Sequence, residues 1–157
     1  MGAFEKYYNL SLRFLSYRPR CEKEVRDNLR KKKADPTVID KIINKLKEQN
    51  FINDKEFVAW WIEQRTIVRP KSMRVVMLEL KQKGIDQELI ELVMQQKDFV
   101  VPSDTEQAKK LIEKKIVRYK TLPKQQLYQK LGGFLARKGF DWETIKKSID
   151  EELTKEV

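Results

Sequence analysis

Apolar residues recur along this chain at three- and four-residue intervals, in nine successive stretches separated by turn residues. Phe4, Tyr8, Leu12 and Leu15 form the first stretch, which runs up to Arg18-Pro19. Val25 and Leu29 mark the second; Ile39, Ile42, Ile43 and Leu46 mark the third, an i, i+3, i+4, i+7 stripe of the kind that one face of a helix buries. Phe57, Trp60 and Trp61 follow, then Met73, Val76, Met77 and Leu80, then Leu89, Ile90, Val93 and Met94. The last three stretches carry Ala108, Leu111, Ile112, Ile116 and Tyr119; Leu127, Leu131, Phe134 and Leu135; and Trp142, Ile145, Ile149 and Leu153. No segment alternates with the period of two that a strand needs, so the pattern predicts nine helices and an all-α fold.

The boundaries carry their own chemistry. Asp35-Pro36 offers an N-cap followed by proline at the first helical position, Asn53 or Asp54 caps the fourth helix, and Asp86 and Asp141 cap the sixth and ninth. Gly84 and Gly139 stand where the fifth and eighth helices must stop, free to take positive φ. Phe99-Val-Val-Pro-Ser-Asp reads as a linker.

The nine helices fall into three groups, because one short frame occurs three times. Leu29-Arg-Lys-Lys-Lys-Ala-Asp35 lines up with Leu80-Lys-Gln-Lys-Gly-Ile-Asp86 and with Leu135-Ala-Arg-Lys-Gly-Phe-Asp141. The aspartates are 51 and 55 positions apart, and Pro19, Pro70 and Pro123 each fall between the first and second helix of a group. A residue before proline is pushed out of the α region, so a bend recurs there. Three tandem three-helix repeats are expected, at residues 1–53, 54–101 (with the short linker) and 102–157. Units of this size bury only part of their apolar surface alone, so they are expected to stack into an elongated, curved array.

Composition adds a partner class. Charged residues are 37% and apolar ones 40%, which suits a soluble, thinly cored helical protein. The 34 basic and 24 acidic residues leave a net charge of +10. Residues 1–53 hold 13 basic against 7 acidic, residues 54–101 hold 8 against 8, and residues 102–157 hold 13 against 9. Basic ends around a balanced middle point to a polyanion, nucleic acid or a nucleoprotein surface, with plain solubility as the alternative. No apolar run has the roughly 18 residues of a membrane helix. Glu5 and Lys6 among aromatics do not make a signal peptide, and Cys21 alone can form no internal disulfide, so a cytoplasmic monomer is expected.

Enzyme chemistry finds no support. The chain has no histidine and one cysteine, no glycine-rich phosphate loop and no nucleophile elbow. No cofactor and no metal is expected. The carboxylates sit at helix starts or among lysines, where caps and i, i+4 pairs account for them.

Binding residues are the remaining candidates. Arg18, Arg20, Arg69 and Lys71 flank the first two repeated prolines, Arg65 lies one turn before Arg69, and Arg74 opens the next helix. Arginine forks at such corners grip phosphates or carboxylates; pairing with local glutamates is the other reading. Arg30 and Lys32 belong to a basic run at a helix end, Lys83 is the second repeat's counterpart of Lys32, and Arg137 and Lys138 close the third frame. The lysines of the seventh helix read as a solvated face. Trp60, Trp61 and Trp142, with Phe57, could stack on bases; Phe57 and one of Trp60 and Trp61 are assigned to the core, and the other is left open. Gly132-Gly133 inside a helix costs roughly 2 kcal/mol relative to alanine, for which close packing on the seventh helix or a hinge are the two explanations.

The segment from Phe51 to Arg65, with Arg69-Pro-Lys-Ser and Leu78 to Asp86, resembles the RecX regulatory protein family. So do Leu15-Ser-Tyr-Arg-Pro-Arg with Glu24-Val and the closing Leu135 to Asp141. Three turn positions depart from that family's pattern: Cys21 for serine, Ser72 for glycine, and Lys33-Ala34 for a glycine-bearing turn. The missing glycine costs a few tenths to about 1 kcal/mol if the cap needs positive φ. The resemblance implies a regulator that binds RecA recombinase filaments on single-stranded DNA and limits their growth, ATP hydrolysis, strand exchange and co-protease activity. Single- or double-stranded DNA is a second expected partner, and no membrane is. Two other readings stand beside it: a sequence-independent nucleic-acid-binding helical module, and a repeat array that binds an acidic protein.

Overall fold

The computed structural model describes residues 2–155. Among them are nine α-helices and no strand: α1 (Ala3–Tyr17), α2 (Glu22–Lys31), α3 (Pro36–Glu48), α4 (Asp54–Glu63), α5 (Met73–Gln82), α6 (Gln87–Met94), α7 (Asp104–Tyr119), α8 (Lys124–Arg137) and α9 (Trp142–Thr154). A π-helical turn, Gln64–Val68, extends α4. Each apolar stretch lies on its own helix, and the three prolines sit between the first and second helix of each group.

The chain forms two compact units. One takes the chain up to Trp60 together with Leu80–Gln96; the other takes Trp61–Glu79 together with the chain from Lys97 onward. In the first, Val25 and Leu29 of α2 meet Ile39, Ile42, Ile43 and Leu46 of α3, with Ile52 beyond, and the apolar face of α1 packs on this cluster. In the second, Ala108, Ile112 and Ile116 of α7 interlock with Leu127, Leu131 and Leu135 of α8 and Ile145 and Ile149 of α9. Phe57 and Trp61 are buried, while Trp60 is half-buried.

The glycine stops follow the expected turn chemistry, but the aspartate caps do so only in part: Asp35 and Asp86 occupy the N-cap positions of α3 and α6 without accepting a side-chain cap hydrogen bond, and two further differences appear. Gly84 (φ +77) and Gly139 (φ +93) take the left-handed conformation, and Lys33 (φ +64) takes it at the matching turn of the first group, where no glycine is present. Asp141 accepts the Thr144 N–H at 2.8 Å, and Asn53 rather than Asp54 caps α4, accepting the Glu56 N–H at 3.2 Å. Ser103 closes a reciprocal capping box with Glu106, so the segment read as a linker ends in a helix start. The second difference is the π turn: the Arg69 N–H reaches back five residues to the Gln64 carbonyl at 3.2 Å, just before Pro70. Arg69 itself leaves helical geometry (φ −133, ψ 79), as the residue before a proline must.

Candidate partner interface

The cations at the two proline corners converge on one carboxylate each. In the first unit that carboxylate is Glu24, at the third position of α2. Arg18 pairs with Glu24 and also donates to the Pro19 carbonyl at 2.7 Å. Arg20 reaches Glu24 at 3.7 Å and lays its guanidinium 3.9 Å from the centre of the Phe14 ring. Lys83 completes the group at 3.4 Å. Burial acts to raise the Glu24 pKa, but hydrogen bonds from Arg18 and the Cys21 N–H and the charges of Arg18 and Lys83 outweigh it, holding the carboxyl below its ordinary value. For Arg20, burial and the neighbouring Arg18 charge lower the pKa, opposed by Glu24.

Cys21 is the N-cap of α2, its side chain standing in for the serine of a capping box. Its Sγ lies 3.5 Å from the Lys83 carbonyl, and burial pushes the thiol up to about 11, so it stays protonated at neutral pH.

In the second unit the carboxylate is Glu79 of α5. It accepts from the Arg65 Nε at 2.9 Å, the Trp61 Nε1 at 3.0 Å and the Lys71 Nζ at 2.9 Å. The Arg65 guanidinium stacks 4.3 Å from the Trp61 ring. Arg74 donates to the Gly139 carbonyl at 3.3 Å. Arg69 is exposed.

The other candidates divide in the same way. Arg30 pairs with Asp27 at 3.0 Å but keeps most of its side chain in solvent. Lys32 is the exposed C-cap of α2 and accepts a hydrogen bond from the Tyr7 hydroxyl at its carbonyl, 3.3 Å. Lys138 holds its ammonium 5.8 Å from the Phe134 ring, and Arg137 is exposed. The corners therefore use Arg18, Arg20, Arg65, Lys71 and Lys83 to fix the turn, while Arg30, Lys32, Arg69, Arg74 and Arg137 present charge outward. The anchors Glu24 and Glu79 were missing from the sequence candidates. Trp142, expected on the apolar stripe of α9, is instead 60% exposed.

Among the described residues no cluster of three or more His, Cys, Asp or Glu could hold a metal, and no helix is long and apolar enough to cross a membrane.

An all-α chain whose helices come in three consecutive groups of three, each bent at a proline, is a tandem three-helix-domain protein. Family models agree domain by domain: residues 8–46 match the first three-helix domain of RecX, 53–94 the second and 103–149 the third. The chain belongs to the RecX family. A relative from Bacillus subtilis (strain 168), a regulatory protein RecX, is 35% identical over 147 residues, covering 94% of this chain and 55% of the relative. One from Listeria innocua is 34% identical over 148 residues, covering 93% and 54%. The chain thus spans about half the length of the curated relatives it matches. The crystal structure of RecX from Lactobacillus salivarius superposes with a TM-score of 0.73 at 31% identity, covering 95% of this chain and 96% of that one. A second crystal structure of a regulatory protein RecX gives 0.71 at 27% identity, over 94% and 72%.

Proposed function

We propose that this protein is a cytoplasmic, monomeric regulator that binds RecA recombinase filaments on single-stranded DNA and restrains their growth, and with it ATP hydrolysis, strand exchange and co-protease activity. The observation that carries the reading is the match to all three RecX domains in order, from residue 8 to residue 149. The net charge of +10 suits a nucleoprotein surface. On this reading the outward cations Arg30, Lys32, Arg69, Arg74 and Arg137 contact the filament, and Arg18, Arg20, Arg65, Lys71, Lys83 and Lys138 hold the corners and turns that present them.

The test is ATP hydrolysis by RecA filaments preassembled on excess single-stranded DNA, with this protein titrated in. Inhibition well below one molecule per RecA, undiminished by added free DNA, is expected. No effect, or inhibition abolished by free DNA, overturns the reading and leaves a sequence-independent nucleic-acid-binding module. The residue assignment is tested with Arg69→Ala/Arg74→Ala, which leaves the Glu79 group intact, whereas removing Arg65 or Lys71 would strip that carboxylate of its partners. The double variant is expected to need several-fold more protein for half-inhibition.

A further inference from the structure

Between α8 and α9 of the second unit lies an open groove of about 330 Å³, lined by Gln125, Tyr128, Gln129, Gly132, Gly133 and Trp142. Its floor is the glycine pair. A helix interior penalises glycine, so two in succession need a reason. Neither has positive φ. Packing does not supply the reason either. A Cβ on Gly132 would meet Ile145 Cγ2 and Trp142 Cζ3 at 3.7 Å, ordinary contact on α9 and not on α7. A Cβ on Gly133 would meet only Arg137 Nη1, at 3.5 Å, the tip of a flexible side chain. A Cβ fits at both positions; without one, Gly132 lies buried against α9 and Gly133, half-buried, leaves the helix surface bare beside the groove.

The rest of the groove suits a flat, polar-edged, anionic ligand. Trp142 stands 60% exposed on one side and Tyr128 half-buried on the other. Gln125 and Gln129 also line the groove, as exposed residues that carry amides. The Arg137 guanidinium lies over Gly133 and makes no ion pair among the described residues. Lys124 holds its ammonium 5.8 Å from the Tyr128 ring. An aliphatic anchor from a protein would leave the amides without use, and a duplex hides the faces of its bases. A single strand offers all three matching features: an accessible π-face, hydrogen-bonding edges and a phosphate.

We propose that the α8–α9 groove is a base-stacking subsite for single-stranded nucleic acid, in which an unpaired base lies over the Gly132-Gly133 floor against Trp142 and Tyr128, with Gln125 and Gln129 at its edge and Arg137 on the adjoining phosphate. It stands independently of the RecA reading, since the test contains no RecA.

Binding of a short labelled oligo(dT) is followed by fluorescence anisotropy across a salt series. Trp142→Ala is expected to weaken binding by roughly tenfold or more, the loss that removing one stacking ring produces. Trp142→Phe is expected to recover most of it. Gly133→Leu, a good helix former that fills the groove, is expected to weaken binding comparably. Neither substitution removes a cation, so the slope of log affinity against log salt stays that of the parent, while Arg137→Ala lowers it by about one contact. An oligonucleotide of abasic sites is expected to bind the parent as weakly as oligo(dT) binds Trp142→Ala. Unchanged affinity in Trp142→Ala and Gly133→Leu, equal binding of the abasic strand, or no binding of oligo(dT) at all each overturn the proposal.

Discussion

The N-terminus of α2 in the first unit and the N-terminus of α5 in the second are built on the same backbone plan and finished with opposite chemistry. In the first, the Glu22 N–H donates to Asp54 at 2.8 Å and Cys21 meets the Lys83 carbonyl. In the second, the Met73 N–H donates to Asp104 at 2.9 Å and the Ser72 N–H meets the Lys138 carbonyl at 3.4 Å. Each helix start is thus capped by an aspartate from the next repeat and lies on that repeat's left-handed turn. The side chains then diverge. Glu24 faces Lys83 in the first unit; 51 positions on, Val75 takes its place and packs onto the turn at Gly139. One junction is ionic and the other apolar, so the repeat preserves where the backbone groups are satisfied and leaves the cement free to vary.

The two junctions differ most at their turn glycines. A Cβ on Gly139 would lie 2.1 Å from Val75 Cγ2 and 2.8 Å from Ser72 Oγ, a collision with a stiff, β-branched neighbour. A Cβ on Gly84 would meet Lys23 Cδ at 3.0 Å, and lysine can swing aside. Both carry the left-handed penalty, so Gly84→Ala is expected to cost about 1–2 kcal/mol and Gly139→Ala about 3–4, the excess being the overpacking. Urea unfolding of the two variants measures this; equal costs would mean the apolar junction yields as readily as the ionic one.

Glu24→Gln tests the ionic side. The Glu24 side chain is 14% exposed and holds three cations, so the neutral amide is expected to cost about 1–3 kcal/mol. The pH dependence has a definite sign. With its folded pKa below the unfolded one, the carboxyl contributes stability that is fully present above about 4.3–4.5 and is lost as pH falls through the lower folded value. Stability of the parent should therefore fall more steeply below about pH 4.5 than that of Glu24→Gln. Parallel acid limbs in the two proteins would assign the acid sensitivity elsewhere, with Glu22, also lowered despite burial by Lys47 and Arg26, the next group to replace.

How much of this was legible depends on the distance over which each feature is decided. Helices, proline corners and glycine stops are local: Ile39, Ile42, Ile43 and Leu46 announce their face by spacing alone, and all four are buried. The family likeness was legible for the same reason, since its motifs are turns and helix starts. The Glu24 group was not, because Lys83 arrives from 59 positions away and nothing near Glu24 marks it as an anchor rather than one more surface acid. Arg65 and Arg69 read as neighbours on one helical face, but the π turn and Pro70 part them, sending Arg65 to Glu79 and Arg69 to solvent. The Ser103-Glu106 box was visible in the residues and was hidden by reading them as the tail of a linker. Gly132-Gly133 could be seen as costly from sequence; that packing does not require the pair needed the positions of Ile145 and Arg137.

The smallest expected effect concerns the turn that departs from the repeat. Lys33 sits at φ +64, where the matching turns of the other two repeats have glycine at +77 and +93. A non-glycine residue there carries left-handed strain, whereas glycine would carry none but would loosen the unfolded chain. The first term is the larger at a position already in the left-handed well, so Lys33→Gly is expected to stabilise the protein by a few tenths to about 1 kcal/mol. The turn's hydrogen bonds, Lys33 N–H to the Arg30 carbonyl at 2.9 Å and Ala34 N–H to the Leu29 carbonyl at 3.0 Å, run through the backbone and survive the change. A higher urea midpoint at unchanged m is the expected reading. A lower midpoint would show that the lysine side chain stabilises the first repeat by more than its backbone strain costs, making this turn a third kind of junction beside the ionic and the apolar one.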